Sequence, residues 1–195
     1  DVDTALRLID RSEGSLDAQT ASRKSVLERV RHHLRKDTTM PDVITALVPD
    51  RPVLSVLRRL QVSEIDTVII NSLTMLREAA RQAALEQTDD PFGIFHAPVD
   101  GDSDGPLEIV LPVNELTDLT GDIRSYRLTG GLVANRLAVG KETDFPEILG
   151  LYDEVHSWIA QAGHTSIGPP RKIWHNKPGG SDPLRLTISW PYATA

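Results

Sequence analysis

The alternation of apolar and polar positions divides the chain into a polar opening stretch and a periodic remainder. Residues 1–37 lack proline, and from Leu16 onward the pattern predicts a helix. Leu27, Val30 and Leu34 fall at helical spacing and form one narrow apolar stripe. Arg23, Lys24, Arg29, Arg31, Arg35 and Lys36 surround it. A stripe this narrow cannot hold a core of its own. It fits either a solvated helix resting on the main domain or a helix that pairs with a second copy.

Beyond Asp37 the period changes. Residues 43–48 and 53–60 read as strands, with Pro49-Asp50-Arg51-Pro52 as the turn between them. Ser63 is placed to cap a helix with Asp66 in its first turn, and Ile65, Ile69, Leu73, Leu76, Ala80 and Ala83 then repeat at helical spacing. Residues 92–97 and 107–113 are the next strands, joined by the acidic loop Asp100-Gly101-Asp102-Ser103-Asp104-Gly105. The same order then recurs. Residues 122–127 and 132–139 read as strands either side of Gly130-Gly131, and Asp144 and Glu147 bracket a helix start. Ile148, Leu151, Tyr152, Val155 and Ile159 continue that helix, Gly163 and Gly168 punctuate its end, and residues 171–175 and 184–190 are strands.

The recurrence reaches individual residues. Phe95-His96 matches Trp174-His175, and Pro106-Leu107-Glu108-Ile109 matches Pro183-Leu184-Arg185-Leu186, each pair roughly 77–79 positions apart. This is an internal duplication of a β-β-α-β-β unit over about residues 40–113 and 122–192. One unit is too small to cover both its sheet and its helix. Two units about a pseudo-twofold axis form one α+β domain, a mixed, mainly antiparallel sheet with both helices on one face. A ligand groove is expected between the halves, with the face opposite the helices as the natural concave surface. Residues 1–39 are assigned to the linker helix and 40–195 to the duplicated domain.

Composition narrows the function. The 195 residues are 39% hydrophobic and 25% charged, which is ordinary globular usage and excludes a disordered chain. A net charge of −7 excludes a wholly basic nucleic-acid surface but leaves room for a local patch. No apolar run approaches the ~18 residues of a membrane span, and the expected location is cytoplasmic. With no cysteine there is no disulfide, thiol nucleophile or thiolate metal site. The spacings G-x-S-x-G, G-x-x-x-x-G-K-[ST], H-E-x-x-H and G-x-G-x-x-G are absent, so neither a catalytic set nor a cofactor is expected. His32-His33 lies on the basic helix, His96 and His175 end equivalent strands, and His156 and His164 read as solvent-facing. None of them forms a metal set.

Aromatic residues carry the remaining signal. Phe95, Trp174 and Trp190 all fall in strands, where they serve either as core or as flat pocket walls for a planar ligand. Glu108 interrupts the run Leu107-Glu108-Ile109-Val110-Leu111. It either faces solvent or faces the junction, where its desolvation needs a cationic ligand or a hydrogen-bond donor.

Phe92-Gly93-Ile94-Phe95-His96, with Asp104-Gly105-Pro106-Leu107-Glu108-Ile109-Val110-Leu111-Pro112-Val113, resembles the first hairpin of GyrI-like effector-binding domains. Leu151-Tyr152-Asp153-Glu154-Val155-His156-Ser157-Trp158-Ile159 and Gly168-Pro169-Pro170-Arg171-Lys172-Ile173-Trp174 resemble the second helix and following strand of that family. The resemblance covers about residues 40–192. It implies a duplicated α+β module whose central groove binds small hydrophobic or aromatic molecules, often cations, here through Phe95, Glu108, Lys172, Trp174 and Trp190. It also implies the C-terminal sensor of a MerR-type transcriptional regulator. The opening helix would then make a homodimer, and promoter DNA would be read by an N-terminal domain ahead of Asp1.

One position departs from the family pattern. Multidrug-responsive members commonly carry a glutamate at the position of Lys172, two residues before the second-half aromatic. Lys172 places the opposite charge on the face of Trp174, since residues i and i+2 of a strand share a face. Glu108 is expected to pair with it or to supply the acid, and a neutral or anionic ligand then fits. The alternative for Lys172 is a stem that snorkels to solvent. Free-standing members resembling hydrolases use a pocket acid and an aromatic hydroxyl, where this chain has Lys172 and Trp174. The expectation is therefore a sensor and not an enzyme, with a free-standing binding protein or hydrolase as the alternative.

Overall fold

The computed structural model describes residues 42–99 and 104–194. The helix expected at residues 16–36, and the dimerisation assigned to it, lie outside the described residues. The described elements are β1 (Val43–Val48), β2 (Arg51–Leu60), α1 (Ile65–Gln82), β3 (Phe92–Phe95), β4 (Gly105–Pro112), β5 (Arg124–Leu128), β6 (Gly131–Val139), α2 (Ile148–Gln161), β7 (Thr165–Ser166), β8 (Arg171–Trp174) and β9 (Arg185–Ala193). The strands form a sheet in the order β1-β6-β9-β8-β3-β4-β2-β5, with the short β7 beside β9. It curls into a half-barrel carrying two helices. The expected mixture of directions is absent among the described strands, because every pairing is antiparallel.

The strand connections depart from the sequence reading. β1 and β2 do not pair with each other, although the Pro49-Asp50-Arg51-Pro52 stretch carries turn chemistry. β1 runs beside β6 from Val43↔Arg136 to Val48↔Gly131, and β2 runs beside β5 from Arg51↔Leu128 to Ser55↔Arg124. The register is the same on both sides of the break. Thus β1–β2 and β5–β6 are two long strands of one ribbon that bends as it passes from one half to the other. Residues 49–50 and Gly130 mark the bend, not two hairpins. The cause is close approach of backbones: a Cβ on Gly130 would stand 2.1 Å from the Val48 carbonyl oxygen. The Gly130 N–H donates to the Asp50 carboxylate at 2.8 Å and pins the bend.

The helices follow the apolar spacing. Ile69, Leu73, Leu76 and Ala80 of α1 are buried, as are Ile148, Leu151, Val155 and Ile159 of α2. Each large aliphatic side chain among them contributes ~1.5–3 kcal/mol of burial. Ser63 does not cap α1. It lies in a single 3-10 turn, Val62–Glu64, where the Glu64 carboxylate accepts from the Gln61 N–H at 3.0 Å. α1 packs on β2 and β4, and α2 on β6 and β9, so the central strands β3 and β8 lie between the two helices. Strand alternation then sorts the sheet into two faces. Leu107, Ile109 and Leu111 of β4 join the main core under the helices, whereas Val110 joins Val53, Phe92 and Ile94 in a second, smaller cluster on the other side.

Candidate ligand groove

β3 and β8 meet at the pseudo-twofold axis with Gly93 directly opposite Lys172. Alternation turns Gly93, Phe95, Lys172 and Trp174 towards the helices and Phe92, Ile94, Arg171 and Ile173 away from them. The floor between α1 and α2 is therefore built from the first set. Trp174 is only 2% exposed and is a core ring beneath that floor. It occupies the room that Gly93 leaves: a Cβ there would stand 3.0 Å from the Trp174 Cη2 atom. Phe95 is partly buried and meets Tyr152 of α2 edge to face, with ring centroids 6.2 Å apart. Burial pushes the Tyr152 phenol well above its ordinary value, so it stays a neutral hydroxyl. Trp190 lies farther along on β9. Its indole N–H donates to the Gly168 carbonyl at 2.8 Å, and its ring sits 5.1 Å from that of His156.

Lys172 holds the one cationic side chain of this floor set. Burial pulls its ammonium below the ordinary lysine value, and the charges of Asp66 on α1 and Asp144 ahead of α2 pull the other way. Neither acid forms an ion pair with it, and among the described residues no carboxylate lies within ion-pair distance of Lys172.

Glu108 sits elsewhere. It is buried, at 4% exposure, on the face away from the helices, so it cannot pair with Lys172. His96 Nε2 lies 2.9 Å from its carboxylate, the Tyr126 hydroxyl donates at 3.0 Å, and Arg124 donates at 3.4 Å. The buried Ser55 hydroxyl stands beside it without reaching full hydrogen-bond geometry. Burial alone would raise the Glu108 carboxyl, but these donors and the Arg124 charge outweigh it and hold the group below the usual carboxylate range. Tyr126 is pushed up, first by burial and then by the Glu108 charge. Glu108 is a fixed acceptor rather than a group poised to pass a proton.

Four of the five residues singled out in the sequence thus share the helix face, and Glu108 does not. Those four residues meet on the helix side of the sheet, whereas layer packing placed the groove on the opposite face, where a concave pocket also lies. Tyr152 and Tyr126 were missed. Tyr152 carries a helical-period signal indistinguishable from core, and Tyr126 reaches Glu108 only because the ribbon brings β5 across from the second half. Among the described residues no three His, Asp or Glu side chains gather to hold a metal ion.

No protein-family model matches the chain, and no curated protein matches it by sequence. Solved structures do match. EcmrR in its complex with DNA superposes with a TM-score of 0.69 at 16% identity, over 96% of this chain and 72% of that one. The EcmrR C-terminal domain gives 0.61 at 15% identity, over 80% of this chain and all 100% of that domain. A hydrolase from Listeria innocua gives 0.60 at 13% identity, over 84% and 97% of the two chains. At these identities the likeness is one of architecture, and the chain has the fold of the EcmrR C-terminal domain, the GyrI-like fold.

Proposed function

We propose that this domain is the small-molecule sensor of a MerR-type transcriptional regulator, taking a planar apolar ligand in the groove between α1 and α2. The observation that carries the reading is the groove floor, where Phe95 and Tyr152 present aromatic surface beside a lysine with no carboxylate within ion-pair distance among the described residues. The aromatic pair favours a flat body, and the lysine favours a neutral or anionic one. The fold likeness to EcmrR, which is seen bound to DNA, supports the regulatory role. In this reading the protein works in the cytoplasm, a DNA-binding domain outside residues 1–195 contacts the promoter, and residues 16–36 pair two copies. The ligand acts by binding one arrangement of the dimer more tightly than the other.

Titration of tryptophan fluorescence at low salt tests it, with anilinonaphthalene sulfonate as the anionic dye and rhodamine 6G as the cationic one. The anionic dye should bind more tightly, and Lys172→Glu should reverse the order, each tenfold change being ~1.4 kcal/mol. Unaltered preference in the variant removes Lys172 from the site, and no binding of either dye removes the groove. Sedimentation should show a dimer that becomes a monomer when residues 1–37 are deleted.

A hydrolase is the second reading, favoured by the likeness to the Listeria innocua protein. Glu108 and the Tyr126 hydroxyl do form a carboxylate–phenol pair, but they face away from the groove and the carboxylate is fully engaged. Ester hydrolysis abolished by Glu108→Gln would favour this reading over the sensor.

A further inference from the structure

The face of the sheet away from the helices holds a separate pocket of about 250 Å³, lined by Ile44, Arg51, Phe92, Asn135, Arg171 and Ile173 together with its rim. The rim charges are already matched. Arg51 donates to Asp89 at 2.6 Å, while His175 bridges Asp90 at 2.7 Å and the Thr187 hydroxyl at 2.8 Å. Arg171 is not matched. Its guanidinium lies over the Phe92 ring, 5.9 Å from the centroid. Burial, and then the like charge of Arg51, work against its cationic form. Among the described residues no carboxylate lies within ion-pair distance of it.

A lysine in such a place can lose its proton, but a guanidinium cannot. The charge persists, half-withdrawn from water, with donors in a planar fork that fits a carboxylate. The backbone register sets Arg171, Ser189 and Asn135 side by side across β8, β9 and β6, a polar row next to the apolar wall of Phe92, Ile173 and Ile44. The volume lies below the ~300 Å³ at which drug-sized pockets begin, which limits the occupant to about one ring. We propose that this pocket binds a small aryl carboxylate, with its carboxylate on the Arg171 fork and its ring against Ile173 and Ile44. The site stands on the opposite face of the sheet from the groove and does not depend on the sensor reading.

Titration of the full chain with benzoate, and with benzamide as the neutral isostere, followed by methyl NMR, tests the assignment. The Ile44 and Ile173 methyl signals should shift while those of Ile65 and Ile69 on α1 stay in place. Benzoate should bind about tenfold or more tightly than benzamide. Arg171→Met should remove that difference without lowering the thermal midpoint, since it deletes an uncompensated charge. The proposal is overturned by equal binding of acid and amide, by shifts confined to the α1 methyls, by benzoate affinity indifferent to Arg171→Met, or by no shift at roughly 10 mM benzoate, where even a weak one-ring ligand registers. Should Arg171→Met not fold, the wild-type methyl map and the acid–amide comparison still decide.

Discussion

In the first half of the molecule His96 reaches across its hairpin to Glu108 at 2.9 Å; in the second, His175 reaches across the matching hairpin to Thr187 at 2.8 Å. The backbone plan is one and the same, and the residue facing the histidine decides what gathers around it. A carboxylate draws in Tyr126 and Arg124 and becomes the centre of a buried network. A hydroxyl draws in no charge of its own, and His175 instead turns its other nitrogen to Asp90 at the surface. The axis shows the same divergence. Gly93 contributes no side chain and Lys172 a long charged one, and the missing side chain makes room for Trp174. Duplication has kept register and released side-chain chemistry, which is how one groove floor comes to be asymmetric.

The largest effect should come from the aromatic pair Phe95 and Trp174, which occupy equivalent positions. Trp174→Ala removes a buried ring and should cost ~3–5 kcal/mol in chemical denaturation. Phe95→Ala, at a partly buried position, should cost clearly less; equal costs would mean that the two halves are packed alike. Next comes Glu108→Gln. It leaves the His96, Tyr126 and Arg124 donors with a weaker acceptor and should cost ~1–3 kcal/mol near neutral pH. The native carboxyl is held below its unfolded value, so its stabilisation is present above about pH 4.3 and fades as the pH falls through the native value. The wild type should therefore lose stability on acidification more steeply than Glu108→Gln, and parallel acid curves would contradict the network. The smallest effect belongs to Thr187→Val in the second half, ~0.5–1.5 kcal/mol from one hydrogen bond, with no change in the acid limb.

How far these features were legible depends on the range of the interaction. α1 and α2 were readable because Ile69, Leu73 and Leu76, or Leu151, Val155 and Ile159, record their burial within a few turns of chain. The duplication was readable because Phe95-His96 and Trp174-His175 carry the same pattern. Glu108 stood out as an acid in an apolar run, but its partners Tyr126 and Arg124 arrive on a strand whose place is set by the other half. Pro49-Asp50 and Gly130-Gly131 have the composition of hairpin turns, and local composition does not distinguish a reversal from a bend. Face assignment failed for a related reason. Which side of the sheet Phe95 and Trp174 occupy depends on where the helices land, and strand alternation fixes only that they share a side.

The bent ribbon has a consequence for how the chain is made. β2 leaves the ribosome with one long edge intended for β5, which follows ~70 residues later, or several seconds at common rates of synthesis. Until then that edge is an open row of backbone donors and acceptors, able to recruit any passing strand. Arg51 and Pro52 sit at its start, a charge and a residue without an N–H, each of which discourages foreign pairing. The same two positions that read as a turn in the sequence thus act as guards for an edge that waits for its partner.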